Sequence, residues 1–93
     1  MVGFVDGWRE GISFLVVLEG LRMEIEQQKR REAHLNAMFL HRGASVAATE
    51  GTKEAKKTLE DTENIIEAIG KEDWDRAKLI TDTIRNRYYS FRF

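Results

Sequence analysis

The chain has 93 residues, of which 42% are hydrophobic and 33% are charged, and its formal net charge is −1. This length allows one domain, and a chain of this size buries only about 60 to 65% of the surface that its unfolded form exposes, so a lone protomer should be marginally stable. The hydrophobic content is too high for a disordered protein. The absence of cysteine excludes disulfides and thiolate metal sites.

Two features argue against a secreted or membrane protein. The longest apolar run, Phe14 to Leu18, is far shorter than the roughly 20 residues of a membrane span. The start, Met1 to Asp6, lacks the basic residues that open a signal peptide. We therefore expect a cytoplasmic protein without a membrane segment.

The first predicted element is one long helix, from about residue 8 to residue 41. Apolar residues that share one helical face are Phe14, Leu18, Leu21, Ile25, Leu35 and Phe39. Between Ile25 and Leu35 the same face carries Gln28 and Glu32 within a polar run. Because a polar layer in a long helix commonly selects its partner, we predict an oligomer interface along this face.

Glycine provides the predicted helix ends, since the chain contains no proline. Gly43 is expected to stop the first helix. A second helix is predicted over residues 49 to 69, with Ser45, Thr49 or Thr52 as its N-cap, and it ends before Gly70.

A third helix is predicted over residues 72 to 89. The short link at Gly70 makes it an antiparallel hairpin with the second helix. The stretch from Ile69 to Ala77 resembles the hairpins of helical-repeat proteins and of small helical chaperones, and it shows no repeat elsewhere in the chain. The resemblance covers one turn and names no family.

The predicted fold is all-α, a small bundle of one long N-terminal helix and a C-terminal helical hairpin, completed by oligomerisation, with a dimer favoured. An alternative is a β-α-α-β arrangement, because residues 12 to 18 are rich in β-branched and other apolar side chains and residues 88 to 93 alternate in character. The helical interpretation is preferred because the apolar spacing from Phe14 to Ile25 crosses Gly20 without a slip.

The last residues combine aromatic and basic side chains without an acid, a mixture typical of tails that dock on a partner and of platforms for single-stranded nucleic acid. The residues predicted to form an oligomer or partner interface are Trp8, Phe14, Leu18, Leu21, Ile25, Gln28, Glu32, Tyr88, Tyr89, Phe91 and Phe93. Those that could contact an anion or nucleic acid are Arg22, Lys29, Arg30, Arg31, Arg85, Arg87 and Arg92.

No catalytic, cofactor or metal motif is present in the sequence. We therefore predict a non-catalytic interaction protein, such as a regulator, inhibitor or adaptor, that self-associates and binds a protein partner. The alternative function is an oligomer that binds nucleic acid or a small phosphorylated ligand through the basic band at Lys29 to Arg31 and the basic, aromatic tail.

Overall fold

The computed structural model describes residues 12–92 of the chain, with side chains from residue 14 to residue 89. Four helices occupy this part of the chain: α1 (Ile12–Glu26), α2 (Arg30–Ala48), α3 (Lys53–Gly70) and α4 (Trp74–Arg92). The predicted all-α class is confirmed for the described residues. The alternative strands are wrong there, because residues 12 to 18 begin α1 and residues 88 to 92 end α4.

The four helices form an up-down-up-down bundle in which each helix packs antiparallel against the next, and α1 packs against α4. The pairs that establish these directions are Phe14 with Gly43, His41 with Glu63, Asp61 with Arg87, and Arg22 with Asp82. The α1–α2 turn and the α3–α4 turn therefore lie at one end of the bundle, and the α2–α3 loop lies at the other.

The predicted single helix over residues 8 to 41 is wrong within the described chain, because a turn separates α1 from α2 at residues 27 to 29. Gln28 adopts a left-handed backbone conformation, with φ of 57°. The amide of Gln28 donates to the carbonyl of Ile25 at 3.0 Å, and that of Lys29 donates to the carbonyl of Glu24 at 2.9 Å. These two bonds form a Schellman motif, which closes a helix by satisfying its last carbonyls. The middle of the polar run is thus a solvated turn between two helices, and Glu32 lies in the first turn of α2.

The end of α2 also differs from the prediction, because α2 continues through Gly43 to Ala48. A Cβ at Gly43 would meet the Phe14 ring at an ordinary distance of 3.7 Å, so nothing at this glycine forces the helix to end. The break comes instead at Gly51, whose φ is 79°. Thr52 then caps α3, because its hydroxyl accepts from the amide of Ala55 at 3.1 Å.

The α3–α4 turn repeats the geometry of the α1–α2 turn. Glu72 has φ of 56° and donates its amide to the carbonyl of Ile69 at 3.0 Å, while the amide of Asp73 donates to the carbonyl of Ala68 at 2.9 Å. The second hairpin thus closes by the same Schellman motif as the first, again without a glycine in the left-handed position.

The two hairpins are also equivalent in their buried positions. At one constant separation in the chain stand the buried pairs Leu21 and Ile65, Ile25 and Ile69, Ala33 and Ala77, Ala37 and Thr81, and Leu40 and Ile84. The two hairpins therefore bury side chains at many equivalent positions. The sequence shows no such repeat, because the likeness between the hairpins is confined to inward-facing positions.

The core consists of aliphatic residues from all four helices. Leu18 and Leu21 are 0% exposed and Ile25 is 1% exposed within the single chain. They were predicted at an oligomer interface, but the folding of α1 onto α2 and α4 buries them inside the protomer. Two buried threonines complete the core, because the hydroxyls of Thr62 and Thr81 donate to the carbonyls of Leu59 and Ala77, each at 2.7 Å.

Candidate interaction surface

Among the described residues, nearly all exposed large apolar side chains lie on the first hairpin, which is formed by α1 and α2. In the second hairpin, the described residues include one exposed large hydrophobic side chain, Leu79. Those of the first hairpin, between 46% and 67% exposed, are Val16, Met23, Leu35, Met38, Phe39 and Val46. We call these six residues the outer face. A scattered exposed hydrophobic residue is ordinary, whereas a contiguous set is typical of a contact surface.

Helix α2 supplies most of the outer face, as a stripe opposite its buried side. Leu35, Phe39, Arg42 and Val46 are spaced by four, three and four residues, so they follow one line along the helix. The inward line consists of Ala33, Ala37, Leu40 and Ala44. The small alanines let α2 approach its neighbours closely. The larger apolar side chains lie on the opposite line and point to solvent. In an ordinary amphipathic surface helix, the larger apolar side chains face the core instead.

The second hairpin shows that the fold does not require this apolar stripe. The positions of α4 equivalent to Leu35, Phe39 and Arg42 hold Leu79, Thr83 and Asn86. The positions of α3 equivalent to Val16 and Met23 hold Glu60 and Glu67, both exposed. The two hairpins thus have similar buried positions and different outer surfaces. The apolar outer face belongs to the first hairpin and needs an explanation other than folding.

Exposed charges flank the apolar stripe on the outer side of α2. Arg31 and Glu32 precede Leu35 by one turn, and Arg42 lies between Phe39 and Val46. None of these three side chains forms an ion pair with any of the described residues. One acid and two bases without an ion pair among the described residues therefore border the stripe.

An apolar groove of about 950 Å³ lies beside the outer face, at the bundle end that holds the α2–α3 loop. Phe39 and Val46 line it, so the groove is continuous with the outer face. Its floor includes Phe14 and Tyr88, whose rings stack with centroids 6.2 Å apart. The structure therefore brings together two aromatic residues that the sequence predicted for an interface from opposite ends of the chain.

Other predicted interface residues have different surroundings. Tyr89 is half-buried, with the Arg85 guanidinium 5.2 Å from its ring centroid. Gln28 is exposed in the α1–α2 turn. Trp8, Phe93 and the side chain of Phe91 lie outside the described residues.

The sequence did not predict Val16, Met23, Met38 and Val46 as surface residues. Leu35 and Phe39 were predicted on the apolar face that is buried or paired. The signal was present in α2, which has two parallel lines of nonpolar residues. These two lines can be told apart only when α2 is known to be a separate helix that begins after the turn at Gln28. In one continuous helix, Phe39 would lie on the same face as Leu18 and would be predicted to be buried with it.

Three of the arginines predicted to contact an anion are held by carboxylates of neighbouring helices. Arg22 donates to Asp82 at 2.9 Å, Arg85 donates to Glu19, and Arg87 donates to Asp61 at 2.8 Å. These ion pairs join α1 to α4 and α3 to α4. These three guanidinium groups thus contribute to the packing of the helices in the bundle.

The remaining predicted anion contacts do not form one surface. Lys29 lies in the α1–α2 turn, Arg31 is exposed, and Arg30 is 3.8 Å from Glu72 of the adjacent turn. This basic band is therefore at the bundle end opposite the C-terminus of α4. The side chain of Arg92 lies outside the described residues.

The ion pair between Arg22 of α1 and Asp82 of α4 should make the free energy of unfolding depend on pH. Partial burial of Asp82 raises the pKa of its carboxyl, but hydrogen bonds from Arg22 and Lys78 outweigh this effect and hold that pKa below its ordinary value. The folded chain then keeps the carboxylate charged to a lower pH than the unfolded chain does. Its contribution is present above the unfolded pKa and is lost as the pH falls through the folded pKa.

In the wild type, the free energy of unfolding should fall as the pH drops below about 4. We expect this fall to be smaller in the Asp82→Asn variant. The measurement is urea unfolding followed by circular dichroism at several pH values. Asp75→Asn, at an exposed acid on the same helix without an ion pair among the described residues, is the control. If the free energy of unfolding fell equally at low pH in both variants and in the wild type, the role given to Asp82 would be contradicted.

Nothing in the described residues indicates a metal centre or a bilayer span. No three His, Asp or Glu side chains there are grouped so that they could hold a metal ion. The His41 imidazole lies 3.6 Å from Glu63 on the next helix. None of the described helices combines the length and the apolar character that crossing a membrane requires.

Comparison of the chain with protein-family models, with curated proteins and with solved structures finds no match.

Proposed function

We propose that this chain is a non-catalytic interaction protein that docks on another protein surface through the outer face of its first hairpin. The observation that carries the proposal is the difference between the two hairpins. They bury equivalent residues, yet one exposes Leu35, Phe39 and Val46 where the other has polar residues at most positions. Exposed apolar surface costs solubility without adding to the fold, so its removal from water by a partner explains its presence.

The shape of the outer face favours a helical partner. Its stripe on α2 follows the spacing by which one helix packs on another, with Phe39 at its centre as a large anchor. Aromatic anchors near the middle of an interface usually contribute most of its binding energy. Such a protein acts stoichiometrically, as a regulator, inhibitor or adaptor does.

The alternative function, binding of nucleic acid or a phosphorylated ligand, has weaker support. Arg22, Arg85 and Arg87 are engaged by carboxylates, and the basic band is at the opposite end of the bundle from the end of α4. A salt titration separates the two functions. Counterion release gives a steep loss of affinity with salt, whereas apolar docking is weakly affected.

The direct test is site-specific photo-crosslinking. A photoreactive phenylalanine analogue at position 39 should give a crosslink to a protein chain, while the same analogue at the equivalent exposed position, Thr83, should give none. Both proteins would be crosslinked pure and in an extract of the source cells, and crosslinked peptides would be identified by mass spectrometry.

Phe39→Asp should weaken the same association by more than about tenfold, since hot-spot anchors are worth about 2 kcal/mol or more. Thr83→Asp is the matched control, and both variants should keep the helicity of the wild type because both positions are exposed. Equal crosslinking from positions 39 and 83, or association that survives Phe39→Asp, would contradict the proposed function.

A further inference from the structure

The apolar groove beside the outer face lies next to the residue at which α1 begins. Phe14 lines the groove and its ring lies against Gly43, and α1 begins two residues earlier, at Ile12. Because α1 runs antiparallel to α2, the chain that precedes Ile12 meets the bundle at the end that holds the groove. Residues 1–11 are therefore joined directly to one edge of the groove.

The sequence of residues 1–11 is apolar enough to cover such a groove. Five of these residues are apolar, namely Met1, Val2, Phe4, Val5 and Trp8. A docked phenylalanine or tryptophan side chain buries about 150 to 250 Å². The groove has a volume of about 950 Å³ and walls that are mostly apolar, so it has room for both aromatic rings. Contact between the segment and the groove would remove two apolar surfaces from water at once.

We propose that residues 1–11 fold back at Gly11 and occupy the groove of their own chain, with Trp8 as the main anchor. Glycine adopts the backbone conformations that reverse a chain, and Gly11 stands immediately before α1. This inference goes beyond the proposed function, because it assigns an occupant to the groove and leaves the partner of the outer face open.

The reach of the segment matches the length of the groove. Trp8 is four residues before Ile12, so its Cα can lie up to about 14 Å from the start of α1. The groove extends along α2 from Phe39 to Ala47, which is about 12 Å of helix. Phe4 is further from α1 along the chain and has a correspondingly longer reach.

The short connection is the reason to prefer this segment over a separate chain. A segment joined to its site by a short linker has an effective concentration in the millimolar range. A separate chain at micromolar concentration would therefore need to bind the groove about a thousandfold more tightly to displace it. Helix α4 also ends near the groove, but it stays helical to Arg92, and a continuous helix does not fold back over the groove.

The fluorescence of Trp8 provides the test, since the chain has one other tryptophan, Trp74. In a Trp74→Phe background, Trp8 emission should be shifted to the blue and protected from quenching by acrylamide. Ala47→Glu places a charge at an exposed position of the groove wall. It should raise the acrylamide quenching constant of Trp8 at least about twofold, because the apolar contact would then have to bury a carboxylate.

Ser45→Glu is the matched control for Ala47→Glu. Ser45 is exposed on the same helix and does not line the groove, so its variant should leave the quenching of Trp8 unchanged. Circular dichroism confirms that both variants keep the helicity of the parent protein, as expected for two exposed positions.

Photo-crosslinking separates a segment of the same chain from that of a second copy. A photoreactive phenylalanine analogue in place of Trp8 should crosslink to the groove wall between Phe39 and Ala47. Chains labelled with heavy nitrogen and unlabelled chains would be mixed in equal amounts before crosslinking. Each crosslinked peptide pair should then be entirely heavy or entirely light.

The inference would be overturned if acrylamide quenched Trp8 as fully in the folded protein as in urea, or if the protection survived Ala47→Glu. Crosslinks that join heavy to light chains would also overturn it, because the groove would then hold the segment of a second copy. These results are separable from failure of the proposed function, which depends on a crosslink from position 39 to another protein. Protection of Trp8 without that crosslink would uphold the groove contact alone.

Discussion

Leu18→Asp should unfold the protomer, whereas Val16→Asp on the same helix should leave it folded. Leu18 is 0% exposed in the core and Val16 is 64% exposed on the outer face. A carboxylate at position 18 has no partner there, and burying an unpaired charge costs more than a small domain can offset. Even Leu18→Ala should cost about 2 to 5 kcal/mol, because it removes buried methyl groups and leaves a cavity.

The measurement is the far-ultraviolet circular dichroism of both variants with their thermal unfolding, together with their sedimentation. Leu18→Asp should lose its helical signal, and Val16→Asp should keep it. If Leu18→Asp instead stayed fully helical and lost only its oligomeric mass, Leu18 would lie at an interface, as the sequence alone suggests, and not in the protomer core.

Arg87→Met should destabilise the protein by about 3 kcal/mol, because it removes the main partner of a buried carboxylate. The Asp61 side chain is only 9% exposed and accepts from Arg87 at 2.8 Å, with Lys57 at 3.8 Å as a more distant cation. The destabilisation comes from the Asp61 carboxylate, which stays buried after its arginine partner is removed. The double variant Asp61→Leu/Arg87→Met should therefore recover most of the lost stability.

Urea unfolding of the two single variants and the double variant measures this coupling. Arg31→Met, at an exposed arginine without an ion pair among the described residues, is the control and should change the free energy of unfolding little. A neutral Arg87→Met would show that this guanidinium does not support the bundle. It would also return Arg87 to the residues available for a phosphorylated ligand.

The all-helical class could be predicted from the sequence because it depends on local properties. Apolar residues recur at helical spacing, proline is absent, and Gly70 marks the end of α3. Thr52 was one of three possible N-caps, and its hydroxyl does accept the hydrogen bond of a cap. These signals lie within a few residues of the structure that they specify.

The turn between α1 and α2 could not be predicted in the same way. Its left-handed residue is Gln28 where glycine is usual, and the apolar spacing on either side matches one continuous helix. Packing decided the outcome, because folding back lets Leu18 and Leu21 meet the alanine line of α2 and the buried face of α4 within one chain. A continuous helix of this length would have left that apolar surface for another protomer to cover.

Local sequence signals specify the helical class, the hairpin at Gly70 and an apolar content larger than isolated helices can cover. Which of the apolar residues face inward depends on how the helices pack in three dimensions. This packing placed Leu18, Leu21 and Ile25 in the core, left Phe39 and Val46 on the outer face, and joined Arg22, Arg85 and Arg87 to carboxylates of other helices. The physical reason is that burial and ion pairing depend on contacts between distant residues, and spacing along the chain specifies only which residues share a face.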